Sequence, residues 1–400
     1  MRISRTPAIL IELLWRALKL LARLGTSRVG PFALVEAKKI PASLRQQPLF
    51  LPPEKAIRAS NTDVAFADKM DIYPGLGYVA MRDVLITSNR RITGVIEGDN
   101  FFVPQSVDSG PWKIRPGEPT VGGILRQDNF RLLVNVGEVS KRIPEGILVG
   151  TLSPHNWFHW TIDTLPSVYL TRYLPKEFDR FPLLIPEQAI IRSNWLEPLR
   201  LVHGNRDIVP LTDREYVKVA ELVWMDSPTS PGPLPIVRKA APHFRVHGSA
   251  MREYRGHILE QLGLPEIMKN PSRRIFLARK GGSNREYNQM ELLEIAQEHG
   301  VEPVFLEEMT FRESVEIFTE AKLIIGPHGA GWANALYANR SSRALMWTWP
   351  ESLKDNWFVN VAQISQIKMK TIFTDEGQEN PYHLEPKKFR QELESLLEQS

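Results

Sequence analysis

The sequence contains no cysteine among its 400 residues, and this absence excludes disulfides, thiolate metal sites and cysteine nucleophiles. It suits a reducing compartment, so we predict a cytoplasmic protein. The chain also has little excess charge, with a formal net charge of +4 and a pI near 9.1. That balance lacks the dense Lys/Arg stripes that nucleic-acid binding needs, and it favours a small acidic ligand such as a nucleotide phosphate.

The first 25 residues contain no uninterrupted apolar run long enough to cross a membrane. Glu12, Arg16, Lys19 and Arg23 interrupt it at intervals of four, three and four residues, which places them on one stripe of a helix. The pattern predicts an amphipathic helix with a basic bias. Two interpretations stay open: the helix lies on an anionic membrane surface or docks on a partner, or its apolar side faces the core of this protein. The first would make the protein peripheral on the inner face of a membrane.

A chain of this length, with an ordinary apolar fraction of 42%, is expected to form two domains. The predicted divisions are 1–60 (helix and linker arm), 61–268 (first α/β domain), 269–375 (second domain) and 376–400 (terminal helix). From Arg273 onward, strands and helices alternate with short connections, which predicts a parallel sheet covered on both faces. Capping boxes are expected at Asn288 with Glu291 and at Thr310 with Glu313.

The stretch SPHNWFHWTIDTLP places His155, His159 and Asp163 at four-residue intervals on a predicted helix. Three interpretations apply: a metal site, a catalytic base with its supports, or polar residues satisfied in an aromatic core. The metal site is the weakest of these, because one straight helix does not easily wrap three ligands around an ion and no H-E-x-x-H motif is present.

A second motif, LIIGPHGAGWANALYA, runs from a strand through a glycine-bearing turn into a helix. A helix N-terminus at the carboxyl end of a strand is a site for an anion. His328 is placed to donate to a phosphate oxygen and Asn334 to bond a sugar hydroxyl, with Gly329 and Gly331 letting the backbone turn. The alternative is a tight connection without a ligand. The spacing is neither a P-loop nor G-x-G-x-x-G.

One strand earlier, the loop LARKGGSNREYN clusters Arg279, Lys280 and Arg285. Guanidinium groups suit diphosphates because they form bidentate, charge-assisted hydrogen bonds. The alternative is a solvated basic loop. Both loops follow strands of one predicted parallel sheet, so we expect them at the same edge.

These motifs, in this order, resemble glycosyltransferase family 61, whose members are also known as DUF563 proteins. The similar region covers roughly 147–375, and its blocks are NWFHWTIDTLP, RIFLARKGGSNREYNQMEL, FLEEMTFRESVEIF and IIGPHGAGWANALYA. The resemblance implies an α/β protein of the GT-B type, with two Rossmann-like domains whose parallel sheets face a central cleft. It also implies inverting transfer of a sugar from a nucleoside diphosphate sugar to a glycan or glycoconjugate acceptor, in surface polysaccharide biosynthesis.

By position, the resemblance implies a donor site in the second domain. Its members are Arg279, Arg285, His328, Gly329, Ala330 and Asn334, with Glu308 as a weaker candidate and Lys280 and Gly331 added from the two loops. The chain departs from the family pattern at Ala278, Ser167 and Trp347. Trp347 stands where an acidic residue is usual, and this makes a non-catalytic sugar-nucleotide or glycan-binding protein the alternative function.

Inverting transfer needs one general base and stabilisation of the leaving diphosphate. Asp163 is the predicted base and His159 the second choice, and the two are able to act as a pair. His155, Asn156 and Trp160 are assigned to the acceptor side. No cofactor and no metal are expected, and the absence of any Asp-x-Asp pair supports a metal-independent reaction.

Overall fold

The computed structural model describes residues 8–38, 46, 49–57, 72–88, 93–102, 124–127, 131–149, 156–213, 215–230, 244–280, 286–349, 357–374 and 382–398. In chain order, its strands β1 to β20 are Arg28–Val29, Phe32–Lys38, Glu54–Lys55, Ile72–Tyr73, Tyr78–Thr87, Gly94–Glu97, Asn100–Phe102, Ile124–Gln127, Arg131–Asn135, Lys141–Leu148, Leu183–Pro186, Ile208–Leu211, Tyr216–Met225, Thr229–Ser230, Arg245–Val246, Arg273–Leu277, Glu302–Val304, Ala321–Pro327, Arg343–Thr348 and Lys368–Phe373.

The helices α1 to α10 are Ala8–Ala22, Trp157–His159, Leu165–Leu170, Glu187–Ile190, Ser193–Val202, Gly248–Gln261, Gln289–Glu298, Phe311–Glu320, Trp357–Ile364 and Pro386–Glu398. A π-helical turn, Trp160–Thr164, joins α2 to α3, and 3₁₀ helices occur at Thr171–Tyr173, Lys176–Phe178, Leu306–Glu308 and Ala330–Tyr337. No helix in these ranges is long and apolar enough to cross a membrane.

The chain divides into two compact units. Unit 1 contains residues 1–53, 75–196 and 203–242, and unit 2 contains residues 54–74, 197–202 and 243–400. Unit 2 is therefore assembled from three separate segments, and short pieces from the first half of the chain belong to it.

Unit 1 is built on a mixed sheet in the order β12-β11-β10-β13-β5-β6-β7-β2-β9-β8, with β1 on β2. The strands from β12 to β13 are parallel, and β13 continues antiparallel into β5, β6 and β7. The α/β class is confirmed, but the expectation of a parallel, Rossmann-like sheet is wrong for most of this unit. The physical reason lies in the connections, because two-residue links such as residues 98–99 join antiparallel neighbours, whereas parallel strands need a long crossover.

The N-terminal helix α1 packs on this sheet. Trp15 and Leu18 are buried against Leu34 of β2 and Leu133 of β9. After the last helical residue, Ala22, a turn leads to Gly25, whose φ of +84° is the left-handed conformation that commonly follows the end of a helix. The N–H groups of Thr26 and Gly25 donate to the carbonyls of residues 21 and 22, and this pattern satisfies two of the last carbonyls of the helix.

Unit 2 contains a five-stranded, entirely parallel sheet in the order β17-β16-β18-β19-β20. This is the sheet that the alternating pattern after Arg273 predicts. The inner strands β18 and β19 are nearly continuous apolar runs and are buried along almost their whole length, as expected for strands covered on both faces, whereas the edge strand β20 carries exposed lysines. The buried side chains of one face include Phe276, Leu323 and Leu345 from the strands and Phe389 and Leu393 from α10.

Of the two expected capping boxes in unit 2, one forms. At α8, Thr310 accepts from the N–H of Glu313 and the Glu313 carboxylate accepts from the N–H of Thr310. At α7, Asn288 makes no side-chain cap. Its amide instead bonds both backbone groups of Leu384 at 3.0 and 3.1 Å, and its Nδ2 also donates to Glu291 Oε2 at 2.8 Å, so Asn288 and Glu291 meet side chain to side chain and the capping box does not form.

Candidate active site

In unit 1, the motif NWFHWTIDTLP forms one continuous helical segment with a π-helical turn in its middle. Asn156 begins the segment, and its side chain accepts from the N–H of Phe158 at 2.9 Å. At the turn, the N–H of Leu165 donates to the carbonyl of Trp160, five residues back, instead of the usual four. Such turns insert one extra residue into a helix and are frequent at functional sites. Asp163 lies inside this turn.

His159 and Asp163 form a buried pair on the segment. The distance from His159 Nδ1 to Asp163 Oδ2 is 2.6 Å, and the two residues are 6% and 4% exposed. The other carboxylate oxygen, Oδ1, accepts a short hydrogen bond from the hydroxyl of Thr229. The backbone carbonyl of Asp163 accepts from Ser167 Oγ at 2.8 Å. Each polar group of Asp163 named here therefore has a fixed partner.

Thr229 is a site residue that the sequence motifs do not identify. It lies 66 residues after Asp163, in the stretch DSPTSP that follows β13. Asp226 anchors the beginning of that stretch, because its carboxylate accepts from the N–H of Gly77 at 2.8 Å. Ser227 Oγ lies 3.1 Å from the Thr229 hydroxyl. The one sequence signal for this contact is the long, proline-rich stretch that follows β13, DSPTSPGPLPIVRKAAPH.

Trp160 and His155 complete the residues assigned to this helix. The ring of Trp160 is fully buried and stacks on Trp195 at a centroid distance of 6.0 Å, and its Nε1 donates to the carbonyl of Trp195. The ring lies in the interior of unit 1, and the acceptor-side assignment of Trp160 stays a prediction. His155 lies outside the described residues. Within those residues, no three His, Asp or Glu side chains come together in a way that could hold a metal ion.

In unit 2, the turn PHGAG connects β18 to the 3₁₀ helix Ala330–Tyr337. The N–H of His328 donates to the carbonyl of Trp347 at 2.8 Å. The imidazole ring of His328 contacts Trp349 and Phe358 at centroid distances of 5.0 and 4.7 Å. Neighbouring strand and helix residues thus hold both the backbone and the ring of His328.

Arg279 joins the basic loop to this turn, as the shared sheet edge predicts. Its Nη2 donates to the carbonyl of His328 at 2.5 Å. Its backbone is clamped by Gln289, which accepts from the N–H of Arg279 at 2.7 Å and donates to its carbonyl at 2.8 Å. Tyr287 donates to the same Gln289 oxygen at 2.8 Å, and burial raises the pKa of the Tyr287 hydroxyl although Arg279 acts in the opposite direction. The hydroxyl therefore keeps the proton that it donates.

Two glycines of the turn have no room for a side chain. A Cβ on Gly329 would lie 2.7 Å from Arg279 Nη2, and a Cβ on Gly331 would lie 2.9 Å from Leu306 Cδ1. Both atoms are the ends of flexible side chains, so a larger residue at Gly329 or Gly331 would displace Arg279 or Leu306 from its place beside the turn. Ala330, between these glycines, begins the 3₁₀ helix.

The remaining donor-site candidates occupy different environments. Lys280 and Glu308 form an exposed ion pair with each other. Asn334 is 1% exposed, and its Oδ1 accepts from none of the described groups. Arg285 lies outside the described residues, so its place relative to the turn stays a prediction.

Trp347 is a core side chain. Its ring is fully buried and packs against Phe276, Tyr287 and Phe389 at centroid distances of 5.5 to 5.7 Å. It lies in β19, directly opposite Pro327 of β18. An aromatic ring therefore fills the space next to the strand that leads into the turn.

Comparison with known families identifies one match. Residues 157–345 match the family model described as Glycosyltransferase 61. The matched region begins in α2 and ends in β19, so it contains both the His159–Asp163 pair and the contact between Arg279 and His328. No protein with a curated description matches this chain.

Proposed function

Because residues 157–345 match the glycosyltransferase 61 model, we propose that this chain belongs to that family and transfers a sugar from a nucleoside diphosphate sugar to a hydroxyl group of a glycan or glycoconjugate, with inversion at the anomeric carbon. The family match carries the transferase activity, and the hydrogen bond between His159 and Asp163 is the observation that carries the mechanism. A role in surface polysaccharide biosynthesis belongs to the same proposal and follows from the resemblance.

His159 is the proposed general base, with Asp163 as the residue that orients it. A carboxylate 2.6 Å from Nδ1 holds the proton on that nitrogen, which places the lone pair of the neutral ring on Nε2. Nε2 accepts the proton of the acceptor hydroxyl while its oxygen bonds to the anomeric carbon and the bond to the diphosphate breaks. Both Asp163 oxygens already accept hydrogen bonds, from His159 and Thr229, which favours His159 over Asp163 as the proton acceptor.

The leaving diphosphate is proposed to bind at the carboxyl edge of the sheet in unit 2. Arg279 supplies a guanidinium there, and the first N–H groups of Ala330–Tyr337 supply donors. These groups neutralise the charge that develops on the leaving group without a metal ion. The side-chain oxygen of Asn334, buried close to the same turn, is the proposed contact to a donor hydroxyl.

The mechanism predicts a large loss of activity when His159 is replaced. We expect His159→Ala to lower kcat by about 10²- to 10⁴-fold, the range that a general base contributes, with little change in KM. Added imidazole should restore part of the rate, because a free base enters the space that the side chain vacates. The measurement is release of nucleoside diphosphate and formation of glycan product, using a donor first identified by thermal shift.

Ser167→Ala is the matched control for this experiment. It removes the hydrogen bond to the backbone carbonyl of Asp163 and leaves both bonds to its carboxylate in place, so we expect kcat to change by less than about fivefold. Asp163→Asn should lower kcat without rescue by imidazole, since the ring remains but loses its orienting charge. A folded His159→Ala protein with nearly normal transfer would remove His159 as the base.

A binding protein without catalysis is the second candidate function. The observation that favours it is Trp347, which fills the position of a usual acidic residue with a buried aromatic ring. Donor turnover separates the two functions. A binding protein would be stabilised by a nucleoside diphosphate sugar and would release no nucleoside diphosphate in the presence of acceptor.

A further inference from the structure

The N-terminal helix α1 carries two separate apolar rows. Ile11, Trp15, Leu18 and Ala22 follow one another at intervals of four, three and four residues and pack against the sheet of unit 1. The charged residues Glu12, Arg16, Lys19 and Arg23 follow the same intervals one position later along the chain. Because each step along a helix rotates by about 100°, the charged row borders the buried row.

The second apolar row faces away from the sheet. Its members are Ile9 (75% exposed), Leu10 (52%), Leu13 (57%), Leu20 (61%) and Leu24 (77%). Eleven large apolar side chains are exposed among the described residues, and these five lie within 16 residues of one another. Single exposed apolar residues are normal, whereas a contiguous group marks an interaction surface. We name these five residues, four in α1 and Leu24 in the turn that follows it, the outer row of α1.

Positive charge borders the outer row. Glu12, the one acidic residue among the first 30, is bonded by Arg16 at 2.8 Å and forms a second ion pair with Arg126. Its charge is therefore compensated, and Lys19 and Arg23 add to a local excess of basic groups. Lys19 Nζ lies 4.6 Å from the centre of the Trp15 ring, and this cation–π contact holds the ammonium group beside the buried row.

We propose that the outer row of α1 docks this protein on an anionic lipid surface, with the helix parallel to the surface. An aliphatic row about 22 Å long, at 1.5 Å per residue, beside a basic row has the two features that interfacial helices combine. The apolar side chains enter the boundary between headgroups and acyl chains, and the basic groups contact anionic headgroups. This proposal concerns unit 1 and does not depend on the proposed reaction.

Vesicle sedimentation of the full-length protein tests the proposal. We expect binding to vesicles of 70% phosphatidylcholine and 30% phosphatidylglycerol, weaker binding as salt increases, and little binding to phosphatidylcholine alone. The double variant Leu13→Glu, Leu20→Glu should lower the partition coefficient at least about tenfold, because charges would enter the apolar boundary. Arg23→Glu, which reverses one charge beside the row, should lower it on the order of tenfold.

Ile191→Glu is the matched control. Ile191 is 70% exposed in unit 1, away from α1 in sequence, so the same change there should leave vesicle binding unaltered. Equal binding by the control and the double variant would overturn the proposal. A second result would also overturn it. In that result, the protein does not bind anionic vesicles, and analytical ultracentrifugation detects a dimer that the double variant dissociates. A second copy of the chain would then cover the outer row.

Discussion

Gly329 determines where the guanidinium of Arg279 lies. The backbone at Gly329 is extended, with φ of 177°, so its conformation alone does not require glycine. Glycine matters here because Arg279 Nη2 would lie 2.7 Å from an added Cβ, well inside van der Waals contact, and the flexible arginine side chain would have to shift. Any side chain at this position therefore moves the guanidinium away from the carbonyl of His328.

We predict that Gly329→Ala weakens binding of a nucleoside diphosphate about ten- to hundredfold. The displaced guanidinium loses its proposed charge-assisted hydrogen bond to a phosphate oxygen, and such a bond contributes about 1.5–3 kcal/mol. Thermal shift at increasing nucleotide concentration measures the change. Gly256→Ala is the control, because a Cβ there meets no atom within 4 Å and the residue lies inside α6. If Gly329→Ala binds the nucleoside diphosphate with unchanged affinity, the guanidinium of Arg279 does not contact the phosphate.

Sequence spacing predicted part of the residue-scale picture. Residues four apart on a helix face each other, so His159 and Asp163 could be paired without a structure. Thr229 could not, because its contact with Asp163 spans 66 residues and depends on the course of the chain after β13. The burial of Trp160 could not be predicted from the sequence either, since an aromatic residue near a polar motif is compatible with either a binding surface or a core.

At the scale of elements, the first N–H groups of α8 are bonded both by residues nearby in the sequence and by a distant one. The capping box uses Thr310 and Glu313, three residues apart. The N–H groups of Phe311 and Arg312 are instead bonded by the carboxylate of Glu197 at 2.9 and 3.2 Å. Negative charge at a helix N-terminus is favourable because of the helix dipole.

We predict that Glu313→Gln removes an acid-sensitive part of the stability of α8. The backbone N–H and then the hydroxyl of Thr310 lower the pKa of Glu313 below its usual value of 4.5. A carboxyl group with a lowered pKa in the folded state stabilises fully above its unfolded pKa and loses this effect as pH falls through the folded value. The difference in melting temperature between wild type and Glu313→Gln should therefore be present at pH 7 and shrink below pH 4.5. Glu307→Gln, which changes an exposed carboxylate outside the capping box, is the control measured beside it.

At the scale of the whole molecule, the core around the parallel sheet is assembled from segments far apart in sequence. Phe389, Leu393 and Leu396 of α10 are buried in the same cluster as Phe276 of β16. From α6, Arg255 donates to the carbonyl of Leu336 at 2.8 Å. The strands of residues 269–375 are therefore covered and bonded by helices outside that range.

We predict that a fragment of residues 269–375 does not fold cooperatively, whereas residues 243–400 do. The shorter fragment lacks the three buried side chains of α10, and each loss costs about 2–5 kcal/mol, a sum comparable with the whole stability of a domain. Circular dichroism during thermal unfolding measures cooperativity in both fragments. A sigmoidal transition in the shorter fragment, equal to that of the longer one, would contradict this view of the core.

The sequence by itself determined the parallel sheet of unit 2, the capping box at Thr310 and the glycosyltransferase 61 motifs, because periodicity, short connections and spacing within one helix are local properties. Tertiary structure alone decided the mixed sheet of unit 1, the loss of the cap at Asn288, the contact from Thr229 to Asp163 and the burial of Trp160. It also decided that α1 buries one apolar row and exposes another, since two such rows look alike until a sheet covers one of them. Each of these features depends on contacts between residues that are far apart in the sequence, and a local sequence pattern does not predict such contacts.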